Sequence, residues 1–279
     1  MKTSLTRLLV HMDATAAAQR RLELACSIAQ AQGAGVTALY AVTSALLVMP
    51  FAPEGGGAIV APLRDLDDDR RKAARQRFDH VAAAAAVRPT WADVQDDPML
   101  PVFAQQALYA DLLVLGQSDP AEAASGGVPA DFAETVMAYS GKPALILPYA
   151  GTPAKVGETV AIAWKPTREA ARAVAAAMPL LQCARRVHIV SWTTPDEAVS
   201  GDRLDLPGYL RQHGVEATWH RQGDEPETVG ELLLSRAFDL EADLLVMGCY
   251  GHNRAREWVL GGASRTVLRS MTLPVLMTR

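Results

Sequence analysis

Aromatic residues make up only 6% of this 279-residue chain, against an apolar fraction of 49%, so its core must be built mainly from Ala, Val and Leu. Cysteine is also scarce. Cys26, Cys183 and Cys249 are odd in number and far apart, which excludes a disulfide framework and a C-x-x-C pair and suits a reducing compartment. The net charge is −4 and basic blocks are missing, which excludes a general nucleic-acid binder. No apolar run approaches the length of a membrane span. Residues 1–7 lead straight into a strand-like run without the apolar centre of a signal peptide. These absences predict a soluble cytoplasmic protein with no nucleic acid or membrane as partner.

Chemistry-bearing motifs are equally sparse. Cys249 and His252 are three apart, but two ligands do not make a zinc site, so no metal is expected. There is no G-x-S-x-G elbow for a nucleophilic serine. His11, His80, His188, His213 and His220 are scattered without an evident carboxylate or nucleophile beside them, and His11 and His188 fall in strand patterns. No catalytic residue is nominated, and the expectation is a protein that is not an enzyme. The phosphate loop G-x-x-x-x-G-K-[ST] and the dinucleotide turn G-x-G-x-x-G are both missing.

What is present is alternation. Short buried-strand runs at 8–12, 36–42, 87–94, 111–116 and 144–147 alternate with helical patterns, the first capped by Thr15 and stopped by Gly33. A charged helix is expected from Asp65 to about Ala85, after a glycine-bearing loop over 50–62. The pattern then starts again. Val160-Ala-Ile-Ala-Trp164 leads to a helix capped by Thr167, and Val187-His-Ile-Val-Ser-Trp192 follows. Val215-Glu-Ala-Thr-Trp219 echoes Val87-Arg-Pro-Thr-Trp91, and Asp243-Leu-Leu-Val-Met-Gly248 echoes Asp111-Leu-Leu-Val-Leu-Gly116. Leu273-Pro-Val-Leu-Met277 echoes Lys142-Pro-Ala-Leu-Ile146. The echoes keep their order, so the chain reads as a tandem duplication, divided into domains 1–152 and 153–279. Each half is an α/β unit with a parallel sheet and helices on both faces.

One stretch of the second half invites a ligand. Residues 248–264 read G-C-Y-G-H-N-R-A-R-E-W-V-L-G-G-A-S, between a buried strand and a helix, where backbone N–H groups and close glycines cradle anions. The spacing of Gly248, Gly251 and Gly261 resembles the G-x2-G-x9-G-[ST] signature of the universal stress protein family. In that family's nucleotide-binding members the loop holds the phosphates of ATP. Gly262 falls where the family has Ser or Thr, and Ser264 lies two positions on. The resemblance covers nearly the whole chain. It implies two tandem Rossmann-like domains, each a five-stranded parallel sheet, packed as an internal pseudo-dimer; a homodimer of the whole chain stays open.

The halves differ at the expected site. In nucleotide-binding relatives an Asp ending the first strand contacts the adenosine part, and Asp13 occupies that position. The first half's loop, however, carries Asp119 in place of the second glycine. In the second half the loop is nearly complete, but Lys165 replaces the acid, and Trp192 ends the second strand where the adenine edge would lie. The expected ligand contacts are Gly248, Gly251, Gly261, Gly262, Ser264, Lys165 and Trp192. The ligand would be ATP, AMP or another phosphate-bearing anion. The leading reading is a stress-response or regulatory module with a degenerate nucleotide or anion pocket in the second domain, acting on protein partners that the sequence does not name. A ligand-free interaction protein is the alternative, and a slow ATP hydrolase a third.

Overall fold

The computed structural model describes residues 4–48, 57–94, 98–120, 127–151, 155–192, 204–223, 228–249 and 262–279. The chain divides into two compact units, Leu5–Lys142 and a unit that contains Pro143–Arg279. The first contains β1 (Arg7–Met12), α1 (Ala16–Gln32), β2 (Gly35–Tyr40), α2 (Ala45–Val48), α3 (Gly57–Ala84), β3 (Thr90–Asp93), α4 (Met99–Ala107), β4 (Leu112–Gly116) and α5 (Phe132–Ser140). Its strands run parallel in the order β3-β2-β1-β4. Leu8 to Met12 of β1 and Leu112 to Leu115 of β4 are buried throughout, the mark of central strands covered on both faces.

The second unit contains β5 (Ala144–Leu147), β6 (Thr159–Ala163), α6 (Arg168–Leu181), β7 (Arg186–Ser191), α7 (Leu206–Gln212), β8 (Thr218–Arg221), α8 (Val229–Asp239), β9 (Leu244–Gly248), α9 (Gly262–Ser270) and β10 (Val275–Thr278). Five of its strands are parallel, in the order β10-β9-β6-β7-β8. The sixth, β5, is the fifth strand of the first repeat, and it pairs antiparallel with β10. The partners are Ile146 with Val275, Leu145 with Leu276 and Ala144 with Met277. Pro143 and Pro274 open the two strands, so this register is symmetric about the Leu145–Leu276 pair. Two copies of one strand meet through the same residues, as in an isologous contact.

The duplication is visible in individual hydrogen bonds. The Asp111 carboxylate accepts from the backbone N–H groups of Thr6 and Arg7, at 2.8 and 2.9 Å. Asp243 accepts from those of Gly157, Glu158 and Thr159, at 2.9, 2.9 and 3.2 Å. Each acid thus ties the foot of β4 or β9 to the start of the neighbouring first strand. Thr15 and Thr167 cap α1 and α6 by accepting from Ala18 N–H and Ala170 N–H. Gly33 closes α1 in the left-handed region, φ 70°, where a side chain would be strained.

The strand registers align the repeats residue by residue. Thr15 matches Thr167, Asp13 matches Lys165, Thr37 matches His188 and Trp91 matches Trp219. Both tryptophans lean on the residue that ends the preceding strand. Trp91 stacks on Tyr40, ring centroids 5.8 Å apart, whereas Trp219 Nε1–H donates to the Ser191 hydroxyl at 2.7 Å. The charged helix departs from expectation at its start. α3 begins at Gly57 rather than Asp65 and carries Pro62 inside it. Pro62 is the sixth residue of the helix, past the four N–H groups that have no intrahelical acceptor, so it removes one bond of the ladder and the helix continues through it.

Candidate functional site

In an open parallel sheet the ligand crevice lies beyond the carboxyl ends of the central strands. In the first unit that place is filled by the chain itself. Asp13 follows β1 and is 4% exposed. Arg21, one of the buried residues of α1, reaches back with its Nη2 2.5 Å from Asp13 Oδ2, and its Nε–H donates to the His11 carbonyl at 3.1 Å. Burial alone would raise the Asp13 pKa; the Arg21 guanidinium, His11 and two hydrogen bonds from Thr15 outweigh it and hold the carboxyl well below its ordinary range.

His11 is buried beside this pair. Its Nε2 lies 2.8 Å from the Ala41 carbonyl, which can only accept, so Nε2 carries the proton. Burial, then the positive charge of Arg21, lowers the ring to about 4, which keeps it neutral. The Phe132 ring lies 4.3 Å from it and Phe103 meets it edge-on. Between β2 and α2, the Thr43 N–H donates to the Gly127 carbonyl at 2.7 Å. Gly127 has φ 67°, and a Cβ there would stand 2.9 Å from the Thr43 oxygen. A Cβ at Gly116 would overlap the Arg21 guanidinium.

Four groups of this arrangement are replaced by different residues in the second unit. Aligned on register and caps, His11 becomes Ala163, Asp13 becomes Lys165 and Arg21 becomes Ala173. Aligned on the buried pairs Val136-Met137 and Val267-Leu268, Phe132 becomes Ala263. Lys165 follows β6, Trp192 follows β7 and Gly248 ends β9; these are three adjacent parallel strands in the order β9-β6-β7. All three residues are half-buried. Trp164 N–H donates to the Val190 carbonyl at 2.8 Å, which joins the strand ends beneath Lys165 and Trp192.

Gly248 has a packing role as well. A Cβ there would lie 2.5 Å from the Ala170 nitrogen, so the glycine admits the first turn of α6 against the end of β9. Gly262 is the first residue of α9 and is exposed; Ser264, two residues on, is 5% exposed. Because β10 runs parallel to β9, α9 must return from the carboxyl edge, which puts its N-terminal residues on the side of Lys165 and Trp192. Gly251, Gly261 and His252 lie outside the described residues.

Among the described residues no group of three or more His, Cys, Asp or Glu could hold a metal ion, and no helix is long and apolar enough to cross a membrane. No disulfide joins Cys26, Cys183 and Cys249. Arg21 carries no mark of this role in the sequence, where a long cation in a helix reads as solvated. His188 and His220 are far apart in the sequence, and the strands bring their rings together.

Residues 159–279 match the model of the universal stress protein family. This half is a universal stress protein domain. No curated protein matches the chain. A universal stress protein from Archaeoglobus fulgidus DSM 4304 shares the fold over 98% of both chains, with a TM-score of 0.68 at 14% identity. A functionally unknown protein from Pseudomonas aeruginosa PAO1 covers 98% of this chain and 92% of its own, with a TM-score of 0.56 at 15% identity. A putative universal stress protein from Pseudomonas aeruginosa UCBPP-PA14 covers 98% and 93%, with a TM-score of 0.54 at 16% identity. At these identities the likeness is one of fold. The universal stress protein domain of this chain therefore rests on residues 159–279, and the first unit repeats its topology.

Proposed function

We propose that the chain is a cytoplasmic regulatory module of the universal stress type whose second unit takes up a phosphate-bearing ligand and whose first unit takes none. The supporting observation is the exchange between repeats. His11, Asp13, Arg21 and Phe132 satisfy one another in the first unit, and Ala163, Lys165, Ala173 and Ala263 stand at those positions in the second. An internal ion pair does in the first unit what a ligand would do in the second. Lys165 is a donor only and favours an anion over a ribose hydroxyl or an adenine amine. The ligand is accordingly ATP, AMP or a simpler phosphate-bearing anion, held with less selectivity for adenosine than an acidic residue would give.

We expect no turnover of that ligand: the carboxylate residue that packs against Gly248, Glu169, is paired with Arg168, and although burial alone would raise its pKa, the Arg168 pairing holds it below its ordinary value, which makes it a weak general base. Mass spectrometry of small molecules released from protein purified without added ligand tests the binding reading. A nucleotide or polyphosphate in stoichiometric amount supports it. A protein that carries none, and whose melting temperature ATP, AMP and pyrophosphate all leave unchanged, is the ligand-free interaction protein instead. A steady-state ATPase rate on the order of 1 per second or above would contradict the absence of turnover.

A further inference from the structure

His188 on β7 and His220 on the edge strand β8 are diagonal neighbours on one face of the second sheet, since Val190 pairs with His220 and His188 with Thr218. Their rings stand 5.1 Å apart, with His188 Nδ1 3.1 Å from His220 Nε2. Both rings are half-buried and open in part to solvent. The fold does not require this pair. The matching positions of the first repeat are Thr37 and Ala92, and there Thr90 donates to Thr37 across the same ladder at 3.3 Å.

We propose that His188 and His220 form a two-imidazole site for a borderline transition-metal cation, with Cu(II) preferred over Ni(II) and Zn(II). The separation fits chelation. Two nitrogens 3.1 Å apart, each about 2.05 Å from a metal, subtend roughly 100° at it, between the square-planar and tetrahedral angles. Imidazole suits these ions, and the order of affinity follows the general trend for divalent first-row metals. Arg186, two residues away on the same face, is a repulsive charge, but its Nη2 pairs with Glu241 Oε2 at 3.1 Å. Two protein ligands leave the remaining positions to water, so the site is exchangeable rather than structural.

The test uses the full chain without an affinity tag, titrated with Cu(II) and followed by calorimetry and by paramagnetic resonance. The comparison variant is His188→Thr with His220→Ala, which copies residues the same fold already carries in the first repeat. Wild type is expected to bind one equivalent with a two-nitrogen hyperfine pattern. The variant, and each single substitution, should lose at least about tenfold in affinity, since losing a ligand costs no less than losing its support. Circular dichroism should show an unchanged fold. Equal Cu(II) affinity in wild type and variant would overturn the proposal. So would a wild-type signal lacking two equivalent nitrogens, because the pair would then share only a proton.

Discussion

Arg21 and Asp13 form a buried ion pair, Nη2 to Oδ2 at 2.5 Å with both side chains 6% exposed, at the place where an open parallel sheet would receive a ligand. A buried pair of this kind is costly to break and cheap to replace whole. Arg21→Ala strands an uncompensated carboxylate and is expected to cost about 3–5 kcal/mol, whereas Asp13→Leu with Arg21→Met should be nearly neutral or stabilising. Urea denaturation of the full chain separates the two. Equal losses for the single and the double variant would show that the pair does not act as a unit.

The same cluster sets an acid limit. Below about 6.5 the unfolded chain protonates His11, whereas the folded chain holds it neutral down to about 4. The unfolded state then binds more protons, so stability falls as the pH drops through that window, by about 3 kcal/mol in all. Asp13 adds to this at lower pH. Its folded pKa is depressed, so its contribution is present above about 3.8 and lost as the pH falls further. Urea midpoints at pH 7, 5.5 and 4.5 should decline in wild type. They should decline much less in His11→Gln, which keeps a donor for the Ala41 carbonyl.

Much of this architecture is local and therefore readable. The acids at the strand feet, Asp111 and Asp243, and the caps, Thr15 and Thr167, sit beside the apolar runs they serve, so the repeat appears in the residues themselves. Sheet order is not local. Nothing within Lys142-Pro-Ala-Leu-Ile146 says that β5 turns antiparallel to β10, because that choice depends on a strand more than a hundred residues away. Arg21 was illegible for a similar reason: a long cation in a helix reads as a solvated residue until its carboxylate partner is placed beside it. His188 and His220 meet only through the β7–β8 register. The glycine loop read from the sequence contributes Gly248, Gly262 and Ser264 to the described structure, and its middle lies outside it.

Gly248 separates packing from binding. Gly248→Ala places a methyl against the backbone of Ala170, where no flexible side chain can yield, and should cost about 1–3 kcal/mol by overpacking. At Gly116 the clash is with the end of a long arginine. Gly116→Ala in the Asp13→Leu, Arg21→Met background should therefore cost less than Gly248→Ala. A smaller loss at Gly248, measured by thermal unfolding, would show that α6 does not depend on that close approach.

Calorimetric titration with pyrophosphate decides which unit receives an anion. Wild type and the Asp13→Leu, Arg21→Met variant should bind alike, because the first unit's cluster takes no part. Lys165→Glu and Gly251→Asp should each weaken binding at least about tenfold, by placing a like charge at the ligand. Binding kept in both second-unit variants, or lost in the first-unit variant, would show that the anion does not bind at the second unit.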